Sequence, residues 1–397
     1  MMTFQNYIME SKNTHLTHAA DFAFEGGKRT TESIAFLSSL IQMFKGKAKS
    51  KVNFTRKWDG APAIFCGINP ENGKFFVGTK SVFNKTPKIN YTNADIDRNH
   101  GGGLADKLKE ALKHLPSLGI KGVLQGDFLF GAGDTETKEI DGKSFLTFTP
   151  NTITYAVGEG DLQKQIKRAK IGIIFHTKYT GDNLQNMKAS FDVSRADFGK
   201  SSSVYADDAN FRDVTGKANF TAKEYETAVK LLNKAKVSAS KARKGSNALA
   251  KNAKLFSFIN IYVNSKVKEG KYVLSASEFY KFVQSKLDAD VKKLKSDRGR
   301  SKRKDANDIV LNNIRAMGRD LQSVFQCNMD IQKVVLHILK KLDDIKTLRT
   351  FVRTGDGYKV TSDEGFVASS SGSVVKLVNR LEFSRANFTV AKNWVKG

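Results

Sequence analysis

A chain of 397 residues has room for two or three domains, and 40% apolar residues is enough to build cores, which excludes a disordered protein. Its formal net charge of +26 favours a polyanionic partner, nucleic acid first, through phosphate contacts and counterion release. No apolar run approaches the roughly 18–20 residues that cross a bilayer, and the N-terminus has no secretory apolar core, so a cytoplasmic protein without a membrane partner is expected. Cys66 and Cys327, far apart in sequence, supply neither a disulfide framework nor a zinc site. The six histidines show no metal-ligand spacing: His15 and His18 are three apart, but no acidic residue or cysteine completes a set.

Residues 1–50 read as an N-terminal helical segment, with Thr30-Thr31-Glu32-Ser33 opening an amphipathic run of Ile34, Phe36, Leu37, Leu40, Ile41 and Phe44. From 51 to 205 the texture turns to short strands rich in Val, Ile, Phe and Thr. Candidates are Ala63–Ile68, Phe75–Gly78, Val123–Phe130, Phe145–Thr149, Thr152–Val157 and Ile171–Thr177, with one helix, Leu104–Leu115, among them. Strands without regular intervening helices predict an antiparallel α+β core. Residues 206–350 form a helical, very basic block: between Thr221 and Thr350 there are 29 Lys and Arg against 13 Asp and Glu. Its densest run, Lys292–Lys304, reads as a loop between helices, either a solvated surface or a phosphate-tracking arm. Residues 351–397 return to strands, with Gly365–Ala368 and Ser373–Val378 as candidates, so the helical block is expected to be an insertion whose flanks rejoin one sheet.

The chemistry starts at Phe54-Thr-Arg-Lys57-Trp-Asp59-Gly60, which puts an amine nucleophile at a strand end beside a carboxylate and an exposed turn. Read alone, Lys57 is equally a surface lysine by an Asp-Gly turn. Downstream come Phe75-Phe-Val-Gly-Thr79-Lys80-Ser81, then Val123-Leu-Gln-Gly126-Asp127-Phe-Leu-Phe130, then Ile173-Ile-Phe175-His-Thr-Lys-Tyr179-Thr-Gly181. Asp363-Glu364-Gly365-Phe366-Val367-Ala368 and Val374-Val375-Lys376-Leu377 close the series. Asp127 in an apolar strand would be costly if unpaired, which argues for a functional role. Phe175 on an alternating strand fits a core position as well as a base platform. The acidic stretch Asp134–Asp141 lacks calcium-loop spacing and reads as a solvated loop. His100-Gly-Gly-Gly103 has no Gly-x-Ser-x-Gly elbow to serve, and Gly142-Lys143-Ser144 lacks the first glycine of a P-loop.

Together, in this order, these segments resemble motifs I, Ia, III, IIIa, IV and V of the covalent lysine nucleotidyltransferase superfamily, which holds ATP-dependent DNA and RNA ligases and capping enzymes. The resemblance spans Phe54 to Arg380. It departs from the pattern at Lys80, where arginine is usual, at Asp127, where glutamate is usual, and at Val378, where motif V carries a second lysine and only Arg380 lies nearby. The gap between motifs IIIa and IV is also far longer than usual. The resemblance implies an antiparallel-sheet, ATP-grasp-like ligase core. In it Lys57 would attack the α-phosphorus of ATP, and Lys376 would neutralise the phosphate and help lower the lysine pKa. Glu364 and Asp127 would hold Mg²⁺ or Mn²⁺, or Asp127 would bond the ribose hydroxyls. Lys80 would reach ribose or phosphate, Phe175 would stack on adenine, and Asp59 and Gly60 would shape the nucleotide loop.

Only 17 residues follow Arg380, too few for the OB-fold of DNA ligases and capping enzymes. The resemblance therefore implies an RNA-ligase-like enzyme, with RNA favoured over DNA. Lys292, Lys293, Lys295, Arg298, Arg300, Lys302, Arg303 and Lys304 would then grip nucleic acid in place of the missing domain. The Lys-Trp-Asp-Gly-Ala-Pro form of motif I also resembles tailed-phage proteins, which would place the protein in a host cytoplasm. A DNA ligase, a guanylyl- or adenylyltransferase that does not join ends, and a non-catalytic nucleic-acid-binding protein stand as alternatives.

Overall fold

Fourteen strands in three sheets and nine α-helices make up the computed structural model, which describes residues 17–45, 53–140, 142–210, 219–343, 349–354, 357–360, 365–370 and 373–381. The strands are β1 (Asn53–Lys57), β2 (Ala63–Ile68), β3 (Phe75–Gly78), β4 (Val123–Phe130), β5 (Thr135–Ile140), β6 (Lys143–Phe148) and β7 (Ile153–Val157). They continue with β8 (Ile171–Thr180), β9 (Lys188–Ser190), β10 (Val204–Asp208), β11 (Arg349–Thr354), β12 (Gly357–Val360), β13 (Gly365–Ser370) and β14 (Ser373–Leu377). The helices are α1 (Gly27–Phe44), α2 (Asn93–Asn99), α3 (Gly102–His114), α4 (Asp161–Arg168) and then α5 (Ala222–Leu249), α6 (Ala253–Lys268), α7 (Ala276–Lys292), α8 (Asp297–Ala316) and α9 (Gly318–Asp343).

The largest sheet runs β10-β8-β4-β2-β3 and is antiparallel except at β10–β8. Alternation along its strands sends Ile64, Cys66, Leu124, Phe128, Ile173 and Phe175 to one face, where Ala105, Leu108 and Ala111 of α3 cover them. A second sheet, β12-β11-β7-β6-β5, is antiparallel throughout. The third is small, β1-β13-β14. The strands after the helical block therefore rejoin two sheets rather than one: β11 pairs with β7, and β13 with β1. The fold is α+β with mainly antiparallel pairing, as the texture of the chain predicts.

The N-terminal helix and the basic helices share one core. Leu37, Leu40 and Ile41 of α1 pack with Leu232 and Ala235 of α5 and with Val324, Phe325, Val335 and Ile338 of α9. Gly27 N–H donates to Asn247 Oδ1 at 2.9 Å, fixing the start of α1 against α5. Phe366, Val375 and Leu377 of the small sheet enter the same core, so that sheet is welded to the helices by one face.

Two stretches differ from the loops expected of them. Thr135–Ile140 is a strand, held at the sheet edge by β6, and Gly142 turns the hairpin with φ 69°. Lys292–Lys304 is largely helical: α7 ends at Lys292, and α8 starts at Asp297. Ser296 caps α8 by accepting from Gly299 N–H, and Asp297 sits favourably in the first turn.

Candidate functional site

β1 ends at Lys57, and the loop beyond it is pinned at several points. Asp59 is buried, and its carboxylate accepts from Asn151 Nδ2 at 2.7 Å, Thr152 N at 2.6 Å and Ile153 N at 2.7 Å. Its own N–H donates to the Tyr155 hydroxyl at 2.8 Å, and the Trp58 ring lies 4.9 Å from the Tyr155 ring. Burial pushes the Asp59 pKa up, opposed by the Asn151, Ile153 and Thr152 hydrogen bonds and by the charge of Lys57. The carboxylate thus ties the Lys57 loop to the turn before β7.

Gly60 is glycine because nothing larger fits: a Cβ there would lie 2.4 Å from Asp127 Cβ and 3.0 Å from Phe128 O. Ala61 N–H donates to Phe128 O at 3.0 Å, and Phe128 N–H to Pro62 O at 3.1 Å, so the loop lies directly along β4 beside Asp127. Lys107 of α3 holds it from the other side, donating to Ala61 O at 3.1 Å. Burial depresses the Lys107 pKa, with Asp134 opposing.

Asp127 sits mid-sheet between Ala63 and Ile174 and is half-buried. His176 Nε2 lies 3.6 Å from its Oδ1, and His176 Nδ1 is 2.7 Å from Thr177 Oγ1. This pair is on the face opposite α3. That face meets the other sheets through a core of Trp58, Leu129, Ile174, Phe148, Tyr155 and Val378.

The register of the small sheet brings the two sequence-expected lysines together. Lys57 pairs with Gly365, and Val367, two residues further along β13, pairs with Lys376. Alternation therefore sets Lys57 and Lys376 on one face, away from Phe366 and Leu377. Gly365 permits this approach of strands: its φ is 149°, and a Cβ would lie 2.3 Å from Leu377 O. Residues 17–19 extend the sheet past β14, with Ala19 N–H donating to Lys376 O at 3.0 Å and Lys376 N–H to Thr17 O at 3.4 Å. His18 pairs there with Lys376 in parallel register. Burial, and then the charges of Lys376, Arg380 and Lys57, hold its pKa well below 6.5.

Other expected residues fall elsewhere. Phe175 is a correction: it is fully buried under α3, its ring 5.0 Å from that of Phe198, so it is closed to a base. Arg380 does not stand in for a second motif V lysine. It is buried, donating to Asp21 Oδ1 and Oδ2 at 3.0 and 2.8 Å and to Asn264 Oδ1 at 2.8 Å, and it ties the end of β14 to the helical block. Lys80 is exposed at the start of the 3-10 turn after the edge strand β3. Glu364 lies outside the described residues. Lys292, Lys293, Lys295, Arg298, Lys302, Arg303 and Lys304 are exposed around the α7–α8 junction, and Arg300 is half-buried, bonded to Leu294 O and Asp297. Among the described residues no group of three or more His, Cys, Asp or Glu could hold a metal, and no helix is long and apolar enough to cross a membrane.

Sequence reading missed His18, His176, Lys107 and Asn151. A signal existed for one of them: with Phe175 assigned to the covered face, alternation turns His176 toward Asp127. The other three depend on contacts between distant segments.

The molecule is thus an α+β protein whose three sheets converge on a clamped lysine loop, with a basic helical block welded to the smallest sheet. It belongs to DUF6267, a family of unknown function, whose pattern matches residues 13–392. No curated protein and no solved structure matches the chain.

Proposed function

We propose that this protein is an ATP-dependent polynucleotide ligase of the lysine-adenylylating kind, acting on RNA ends in preference to DNA. The observation that carries the reading is the shared face of Lys57 and Lys376, two lysines from opposite ends of the chain, beside a loop clamped against the strand bearing Asp127. A nucleophilic amine needs a fixed position more than a special fold, and the Asp59 clamp supplies it.

In the proposed reaction the unprotonated Lys57 amine attacks the α-phosphorus of ATP. The N–P bond forms as the bond to the β-phosphate oxygen breaks, pyrophosphate leaves, and the amine loses its proton to solvent. Lys376 neutralises charge on the α-phosphoryl oxygens. The adenylyl group then passes to a 5′-phosphate, and a 3′-hydroxyl displaces AMP to join the ends. Asp127 fits a divalent cation: it is a hard oxygen donor, only partly covered, and Mg²⁺ is commonly bound by one or two carboxylates plus substrate phosphates. Such an ion would supply charge neutralisation at the phosphates. The exposed cations of the α7–α8 junction suit a phosphate backbone and have no base-reading arrangement, in keeping with a clamp that is indifferent to sequence.

The test is incubation of the full chain with α-³²P-ATP and Mg²⁺, with α-³²P-GTP and Lys57→Ala lanes alongside, followed by sealing assays on nicked and single-stranded RNA and DNA. A base-stable, acid-labile label from ATP that requires Lys57, with sealing of RNA ends, is expected. A label without sealing would reduce the protein to an adenylyltransferase. No label on protein freed of bound AMP would remove the enzyme and leave a basic nucleic-acid-binding protein.

A further inference from the structure

His18 takes no part in the motif series, yet the fold carries it to the lysine face. Its backbone segment bridges to the far side of β14, and the parallel pairing with Lys376 turns its side chain to the face that holds Lys376 and Lys57. Its Nδ1 is sealed from solvent and has no hydrogen-bond partner among the described residues, whereas Nε2 is not sealed in this way and the residue as a whole is half-buried. A buried, unpaired ring nitrogen is tolerated far better as a bare lone pair than as an orphaned N–H. That preference sets the tautomer, with the proton on Nε2.

The surroundings also keep the ring neutral. Lys57 faces it from β1 and Lys376 from β14, and Arg380 adds a third positive charge just beyond β14. The nearest carboxylates of its own segment are engaged elsewhere: Asp21 with Arg380, and Glu25 with Arg29 and Thr17. A neutral imidazole on the same face as two lysines is a polar donor that costs no proton.

We propose that His18 belongs to the site as a neutral hydrogen-bond donor, its Nε2–H directed at an oxyanion of the phosphoryl class seated between Lys57 and Lys376. The shared face of the three residues follows from the sheet register. Its assignment to the reacting phosphoryl group rests on the ligase reading above. Two sources share this chemistry, the α-phosphate of the nucleotide and the 5′-phosphate of a nucleic-acid end.

The experiment uses the full chain with ¹⁵N-labelled histidine, the His18 signals being assigned by their loss in His18→Gln. Spectra are recorded at neutral pH with sulfate, with chloride at matched ionic strength, with AMP, and with a 5′-phosphorylated oligonucleotide. Sulfate is chosen because it is tetrahedral and does not titrate near neutrality. The neutral Nε2–H tautomer should be present throughout, and its Nε2–H signal should move with sulfate but not with chloride. AMP alone shifting it assigns the seat to the nucleotide, and the oligonucleotide alone assigns it to the nucleic-acid end. His18→Leu should weaken the shifting ligand about tenfold to a hundredfold, the loss of one hydrogen bond to a charged group, and His18→Gln, which keeps an amide donor at that reach, within about threefold.

An Nδ1–H or doubly protonated ring, or an Nε2–H signal indifferent to sulfate, overturns the proposal. Failure here is separable from failure of the ligase reading. A Lys57-dependent label with His18 unmoved by sulfate sinks the seat alone, and a sulfate-responsive His18 on a protein that never labels sinks the ligase alone.

Discussion

The small sheet has two faces, and they were built by different demands. One carries Phe366, Val375 and Leu377 into the core of the helical block, where shape and volume decide. The other carries Lys57, Lys376 and His18, three nitrogen groups that would repel one another when charged. The apolar face explains why the strands stay, and the polar face is where the proposed chemistry would sit.

Four changes separate these demands, the first two acting on one face each. On the polar face, Lys57→Ala should lower adenylylation by about a thousandfold or more, since the nucleophile itself is gone, and leave the melting temperature nearly unchanged. Equal loss of label and of fold would show that Lys57 is a structural residue. On the apolar face, Phe366→Ala should cost about 3–5 kcal/mol of stability by urea titration, because the ring is fully buried. A loss under about 1 kcal/mol would mean that the sheet and helices are not welded.

Asp59→Ala lies between the two cases, removing the acceptor for two buried N–H groups. A loss of about 3 kcal/mol is expected, with weakened but not abolished labelling. Unchanged stability would refute the clamp.

The smallest effect is in pH. The folded His18 pKa is depressed, so below about pH 6.5 the unfolded chain binds a proton that the folded chain refuses. His18 should therefore make stability fall as pH drops below that point, by up to about 1.4 kcal/mol per pH unit, and the slope should shrink in His18→Gln. An unchanged slope would place His18 in an ordinary solvated environment.

Local pattern made much of the fold legible. Val123–Phe130 and Ala63–Ile68 are strands because apolar β-branched and aromatic residues run between turn signals, and those bounds come directly from composition. Alternation gives the period but not which face a helix will cover, which is why Phe175 reads as either core or base platform and turns out to lie beneath α3. Thr135–Ile140 is hard to see because an edge strand paired on one side tolerates charge. The helical start at Asp297 is masked by Lys, Arg, Ser and Gly, though the Ser296 cap was there to read. In the candidate site, motif order singles out Lys57, Asp59 and Lys376. It does not single out His18, because its position depends on pairing with a strand near the other end of the chain.

The central claim is that the polar face of the small sheet is where covalent chemistry happens. Its most direct test is peptide mapping by mass spectrometry of the full chain after incubation with ATP and Mg²⁺. The account predicts one adenylyl group, on the peptide containing Lys57, and none on Lys376, Lys80 or Lys107. Modification at one of those lysines, or at any residue other than Lys57, would contradict it.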